Sequence, residues 1–419
     1  MRAQFAEQQI IASCLVYEER MLQVLESLDD SDFSGREREH FTAIKAAYEK
    51  YGFEGMGDNA GIEIQDFSNY MDIAIKHIDE NISKVKEMTS RRKLQNVVTE
   101  LMVEIREGDP QEGALKAIEE ISNIVNESST SKEQTMSEVM QDAVKVIDRV
   151  RAGESFGLRS GLDIDKKIGG FQNGQFYLIA ARPSMGKTAL ALQIAASMSK
   201  EVPGAFLSLE TTNSNIGMRH IVREAMIDAE TLREGKINDD EYQKILDYAG
   251  RLSELNLITD DTMDVTAGGI FTKANYLKRK YGIGFLMVDY VQLMQAKAES
   301  RERQIAEVSM ACRAASKQLD IPIIGLAQLS RKPEERTNKE PMLSDLRESG
   351  QLEQDAFCVM FLYRPEYYGV QTYEDGSSTE GICEAIIAKN KDGATGKMKL
   401  QFDKRHMKFN NLVHDPTPF

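Results

Sequence analysis

The sequence predicts an α/β domain with a largely parallel sheet, preceded by a small all-α N-terminal domain and a linker helix. Three observations carry this reading. From Gly157 onward, short apolar runs alternate with amphipathic stretches. Before about residue 125, apolar residues recur at helical spacing among many charges. Between the two, NESSTSKEQTM (126–136) is polar and lacks apolar periodicity. The expected domains are therefore 1–125, 126–156 and 157–419. A chain of 419 residues suits two or three domains, because one core rarely grows past roughly 250–300 residues.

In the first region Ile10, Cys14 and Leu15, then Leu22, Leu25 and Leu28, fall at helical spacing. The stretch GFEGMGDNAG (52–61) is glycine-rich and is expected to break the helices. A helical pattern resumes over 83–107, with Arg91, Arg92 and Lys93 near its start. After the polar linker, Thr135 and Glu138 form a T-x-x-E capping box. Val139, Ala143, Val146, Ile147 and Val150 then make one apolar stripe. So short a helix must bury that stripe to be stable, either on its own domain or on a neighbouring subunit.

In the α/β region four runs read as strands: QFYLIA (175–180), AFLSLE (205–210), FLMVDY (285–290) and IPIIGLAQ (321–328). Each ends near a polar residue, and ligands of such sheets sit beyond the carboxyl ends of strands. Residues 382–402 look like a hairpin with Asp392-Gly393 in its turn region.

Bulk properties narrow the function classes. No apolar run approaches the ~20 residues that span a bilayer, and the start MRAQFAEQQI has no apolar signal core; a cytoplasmic protein is expected. Cys14, Cys312, Cys358 and Cys383 are far apart and form no C-x-x-C pair, which together with five scattered histidines leaves no zinc pattern. The net charge of −15 is not that of a general nucleic-acid coat, so any nucleic-acid contact must rest on local basic groups or backbone amides.

The stretch AARPSMGKTAL carries the chemistry. Gly186, Lys187 and Thr188 fill the end of the phosphate-loop pattern G-x-x-x-x-G-K-[ST], while Ala181 replaces its first glycine. The loop follows a predicted strand and precedes a helix with Leu190, Ile194 and Met198 on one face. In that setting backbone N–H groups cradle phosphates, Lys187 reaches the β and γ phosphates, and the Thr188 hydroxyl holds Mg²⁺. Alanine at 181 suffices if its φ need not be positive. Asp289 at the end of FLMVDY suits a Mg²⁺ shell. Glu210 could orient and deprotonate water, and Gln328 could touch a γ-phosphate. Each alone is an ordinary strand-end residue; four on one sheet form a pattern.

AARPSMGKT, SLE (208–210), VDYVQLM (288–294), AEVSMACRAASKQLDIPIIGLAQLSR (306–331) and SDLRESGQLEQDA (344–356) together resemble the motifs of DnaB-type replicative DNA helicases, in the same order. The resemblance covers roughly 157–412, and more weakly the N-terminal region through AEQQIIASCL. It implies a RecA-like ATPase in a homohexameric ring that moves 5′ to 3′ along single-stranded DNA and splits the duplex, using ATP and Mg²⁺. It implies a nucleotide site of Ser184, Gly186, Lys187, Thr188, Ala189 and Arg219, Mg²⁺ at Thr188 and Asp289, water activation by Glu210, and coupling to DNA by Gln328. Arg347, Glu348 and Gly350 match the family's DNA loop, which would hold phosphate without reading bases.

The resemblance also implies a primase and a helicase loader as partners, and no membrane. Two departures stand out. Where the family carries K-x-R reaching into the neighbour's site, this chain has Lys389, Asn390 and Lys391, and lysine lacks the planar fork of arginine. The N-terminal region is shortened and irregular around 52–70. A RecA-like recombinase or regulatory ATPase, or a non-catalytic ATP-binding scaffold, are the alternatives.

Overall fold

A computed structural model describes residues 2–110, 113, 114, 116, 117, 120, 121, 124, 135–263, 265–296, 298, 300–330, 334 and 336–412. The chain divides into two units, Met1–Glu133 and Gln134–Phe419. The expected boundary at 125/126 and most of the polar linker lie outside the described residues.

The first unit is helical: Arg2–Val16, Glu18–Ser27, Gly35–Asn59, Ile64–Ile73 and Asp79–Glu107. Its core gathers Ile10, Ile11, Met21, Phe33, Phe41 and Ile44, with Phe33 and Phe41 stacked at 4.2 Å. The predicted interruption over 52–61 takes the form of a kink followed by the end of the helix. Gly52 takes a positive φ of 71°, the helix then continues to Asn59, and Gly61 beyond it has φ 66°. A glycine admits that conformation without a Cβ clash, and burial of Met56 and Ala60 gives the continuation a reason to stay folded.

In the second unit the capping box forms as expected: Thr135 N donates to Glu138 Oε2 at 2.8 Å, and the helix Met136–Arg151 follows. That helix buries none of its residues, and Val139 and Ile147 are exposed. Packing within its own unit therefore does not account for the stripe.

The sheet has nine strands among the described residues, in the order β3-β2-β4-β5-β1-β6-β7-β8-β9. These are β1 Phe176–Ala181, β2 Gly204–Ser208, β3 Leu257–Asp260, β4 Phe285–Asp289, β5 Ile323–Gln328, β6 Cys358–Tyr363, β7 Ile382–Asn390, β8 Gly396–Asp403 and β9 Lys408–Asn411. From β3 to β6 every pairing is parallel; from β6 to β9 every one is antiparallel. Strands β1, β2, β4 and β6 are buried throughout, because a parallel sheet is covered on both faces. Alternate residues of β1 enter two cores: Phe176, Leu178 and Ala180 one, Tyr177, Ile179 and Ala181 the other. The predicted hairpin is β7–β8. Strands β3, β6 and β9 were not anticipated; β6 (CVMFLY) is an apolar run with no period to read.

Candidate active site

The strand order decides the site. β2, β4, β5 and β1 are consecutive neighbours, so their carboxyl ends lie side by side. In register, Ser208 pairs with Asp289 and Ala181 with Gln328. The chain after β1 turns through 182–186 into the helix Lys187–Met198. Gly186 at the turn has φ 94° and Ser184 has φ 67°. A Cβ on Gly186 would sit 3.0 Å from Phe409 Cζ and 3.2 Å from Phe402 Cζ. Glycine there is thus required by both backbone and neighbours. Ala181 is an ordinary buried strand residue outside the positive-φ positions, so a first glycine is not needed.

An open pocket of about 810 Å³ lies over this loop. Ser184, Gly186, Lys187, Thr188, Ala189, Glu210, Arg219 and Gln328 all line it, which brings together the nucleotide, water-activating and coupling residues expected from sequence. Glu210 lies two residues beyond the end of β2 and is exposed. The wall carries seven cationic side chains (Arg182, Lys187, Arg219, Arg233, Arg364, Lys404, Arg405) against three carboxylates (Glu210, Asp228, Glu230). In a chain of net charge −15, that local excess suits a polyphosphate.

Behind the loop, Asp289 is fully buried. Thr188 Oγ1 donates to its Oδ2 at 2.7 Å, and Lys187 Nζ lies 3.2 Å from its Oδ1. Oδ1 nevertheless accepts no hydrogen bond: the ammonium is near enough for charge pairing and off the hydrogen-bonding line. Lys187 also lies 4.5 Å above the Tyr290 ring. Burial, with Glu210 next in importance, raises the Tyr290 phenol above its usual range, so the ring under the lysine is a neutral phenol. A hydroxyl beside a buried carboxylate oxygen without a hydrogen bond fits Mg²⁺, which takes one or two protein oxygens plus substrate phosphates and water. Because Asp289 is not on the pocket wall, the fit is through Thr188 and water.

The structure adds residues that sequence reasoning missed. Arg364 follows β6, is 5% exposed, and donates from Nη1 to the Ser184 carbonyl at 3.3 Å. Its guanidinium stacks over Phe402 at 4.8 Å and pairs with Glu366. Burial pushes the Glu366 carboxyl up, but the Gly381 amide and Arg364 outweigh it and hold it below its usual value. Phe402 in turn packs on Phe409 at 4.5 Å, so the phosphate loop rests on the antiparallel end of the sheet. A signal existed: CVMFLYR is a buried-strand pattern ending in a charge. Gln292, inside the quoted VDYVQLM, was also passed over.

Lys389 and Lys391 do not line this pocket. Lys389 Nζ donates to the carbonyls of Glu353 and Gln354, capping the helix Gly350–Asp355; burial lowers its pKa, and nearby Lys391 lowers it further. Lys391 is exposed. Arg347 and Glu348 lie in the 3-10 segment Leu343–Ser349, and their side chains are outside what is described; Gly350 opens the following helix. Two buried aspartates, Asp345 within this segment and Asp355 at the end of the following helix, flank Arg347–Gly350 in the chain. Asp345 accepts from Arg336 at 2.6 Å, and Asp355 accepts from Ser309 at 2.8 Å and Arg313 at 3.1 Å.

The four cysteines are free and buried, with Cys14, Cys312, Cys358 and Cys383 pushed by burial to about 12, so none is a thiolate at neutral pH. Among the described residues no helix is long and apolar enough to cross a membrane.

Comparison with known proteins is consistent with this geometry. The DnaB-like helicase C terminal domain family matches residues 157–411. The chain is 39% identical over 268 residues to the replicative DNA helicase DnaB of Geobacillus stearothermophilus, a match covering 62% of this chain and 58% of that protein. It is 34% identical over 338 residues to the replicative DNA helicase DnaC of Bacillus subtilis (strain 168), covering 78% and 73%. A solved structure titled "The Structure Of A DnaB-Like Replicative Helicase And Its Interactions With Primase" superposes with a TM-score of 0.72 at 30% identity, over 97% of this chain and 99% of that one.

Proposed function

Because the chain belongs to the DnaB-like helicase family, we propose that it is a replicative DNA helicase. In this reading it hydrolyses ATP with Mg²⁺, moves 5′ to 3′ along single-stranded DNA as a homohexameric ring, and opens the duplex at the replication fork in the cytoplasm. One observation supports the reading above all: the contiguous order β2-β4-β5-β1 puts the phosphate loop, Glu210, Asp289 and Gln328 at neighbouring strand ends, with Asp289 behind the wall of a cationic pocket.

The residues divide the work as follows. Backbone amides of Ser184, Gly186, Lys187, Thr188 and Ala189, at the positive end of the helix, cradle the phosphates. Lys187 exchanges its contact with Asp289 for the β and γ phosphates. Thr188 and Asp289 hold Mg²⁺, which when bound neutralises charge on those phosphates. Glu210, exposed and without a competing hydrogen bond among the described residues, orients the attacking water and takes its proton. Arg219 contacts the nucleotide. Gln328 senses the γ-phosphate. Lys389 and Lys391 serve the neighbouring subunit's site, with Lys391 the trans-acting cation and Lys389 holding the helix Gly350–Asp355 that follows the DNA loop. Arg347, Glu348 and Gly350 contact single-stranded DNA.

The similarity to a DnaB-like helicase whose title names interactions with primase supports a primase partner, and the family supports a helicase loader. Unwinding of forked duplexes carrying only a 5′ or only a 3′ tail, with ATP and Mg²⁺, tests motor activity and direction together. The 5′-tailed fork should open. A protein that pairs homologous strands and opens neither fork is a recombinase instead.

A further inference from the structure

Gln292 joins the metal-side strand end to the coupling strand. The β4–β5 ladder pairs Leu286 with Ile323, Met287 with Ile324 and Val288 with Gly325, and then stops. β5 continues for three residues beyond, paired on its other side with β1 as far as Ala181 and Gln328. The backbone of Gln328 would thus have no strand partner on the β4 side. Gln328 is exposed, and instead of leaving its backbone groups to water the fold supplies both partners from the side chain of Gln292. Its Nε2 donates to the Gln328 carbonyl at 3.0 Å, and its Oε1 accepts from the Gln328 amide at 3.2 Å. A primary amide is the side chain that matches a peptide group on both counts. It acts as one further rung of the ladder, contributed by a residue three positions after Asp289.

The rung extends in the other direction. The Gln292 carbonyl accepts from Arg301 Nη2, at the start of the helix Arg301–Leu319. Further along the same helix Ser309 and Arg313 bind the buried Asp355, which ends the helix behind the segment Leu343–Ser349. A continuous set of hydrogen bonds and one rigid helix therefore runs from Gln328 to the base of the segment assigned to DNA.

We propose that Gln292 is a positioning residue that fixes the backbone of Gln328 against the metal-binding strand and couples nucleotide state to the helix Arg301–Leu319. This rests on the helicase reading. Gln292 does not line the nucleotide pocket, so its loss should leave nucleotide binding intact and impair coupling.

The test uses the full chain. Steady-state ATP hydrolysis is measured with Mg²⁺, with and without an oligo-dT strand, alongside the Kd of a fluorescent ATP analogue and thermal melting. Gln292→Met keeps length and removes both hydrogen bonds. Gln292→Glu keeps length and acceptor but sets a carboxylate against the Gln328 carbonyl. Both variants should lose about tenfold in oligo-dT-stimulated kcat, less than the ~10²-fold that a 1 Å misplacement can cost, with analogue Kd within about twofold and basal turnover within about threefold. Unchanged stimulation in either folded variant overturns the proposal, as does an equal loss of basal and stimulated turnover. Should Gln292→Met fail to fold, Gln292→Glu carries the test. A wild-type protein that turns over no ATP with oligo-dT and Mg²⁺ overturns the helicase reading instead, so the two failures are distinct.

Discussion

Thr188 and Asp289 lie 101 positions apart in the chain, yet the threonine hydroxyl donates to the aspartate at 2.7 Å. That bond joins the phosphate loop to the end of β4. Lys187 lies 3.2 Å from the other carboxylate oxygen.

Removing the Asp289 charge should uncouple nucleotide binding from metal. Asp289→Asn keeps the shape and an acceptor for Thr188. It should lower ATP turnover by about 10²-fold, the scale for losing one preorganised electrostatic contact. It should also narrow the gap between nucleotide affinities measured in Mg²⁺ and in EDTA. A full metal dependence in the variant would place the ion elsewhere.

Glu210→Gln should retain nucleotide binding and lose turnover by about 10²–10⁴-fold, the range for a positioned general base. Single-turnover hydrolysis with radiolabelled ATP measures this directly. A variant at wild-type rate would show that the exposed carboxylate is not the base; a variant that loses turnover yet keeps full biological activity would instead favour the non-catalytic scaffold.

Lys391→Ala should greatly reduce DNA-stimulated turnover while leaving nucleotide affinity nearly intact, since this lysine is not on its own subunit's pocket. Lysine supplies charge without a planar fork, so Lys391→Arg should match or exceed wild type. Turnover of the alanine variant within twofold of wild type would assign the trans-acting role to another residue.

Arg364 supports the phosphate loop from below, through the Ser184 carbonyl and the Phe402 ring. Arg364→Met keeps apolar volume and removes the donor. The nucleotide Kd should rise about tenfold, with Arg364→Lys intermediate because it loses the stacked plane. Equilibrium titration with a fluorescent nucleotide decides this, and an unchanged Kd in a folded Arg364→Met protein would exclude the support role.

Acid stability should depend on His220. Burial lowers its pKa to about 3, with Arg223 adding to the effect; its Nδ1 lies 2.9 Å from Arg223 Nη2, so the ring must be neutral to accept there. The unfolded chain binds a proton near the ordinary value of 6.5 and the folded chain does not. The contribution is therefore complete above pH 6.5 and is lost as pH falls below it. At pH 5 the loss amounts to about 2 kcal/mol. His220→Asn, which cannot titrate, should flatten the fall in Tm between pH 7 and 5; an unchanged slope would place the acid-sensitive group elsewhere.

Much of the site was legible in the primary structure because its residues sit at ends of apolar runs. FYLIAA before the loop and FLMVD before Tyr290 are fully buried strands, and IIGLAQ is buried up to its exposed final Gln328. Such strands announce themselves as unbroken hydrophobic stretches, and a polar residue ending one is conspicuous. The capping box of Thr135 and Glu138 was equally plain, since capping is a local matter of three residues. The glycine run announces an interruption over 52–61, but only the structure shows that helix resumes between Gly52 and Asn59, where Met56 is buried.

What order of neighbours the strands take could not be read from composition or spacing, for strand pairing joins residues of any separation. Sequence alone established which residue types could handle phosphate, metal and water, and that they belonged to one kind of domain. Only the tertiary structure placed β4 between β2 and β5, let Gln292 stand in for a missing strand, and brought Arg364 under Ser184. Those contacts arise from long-range closure of the chain, where backbone groups left without partners take whichever side chain the packing brings within reach.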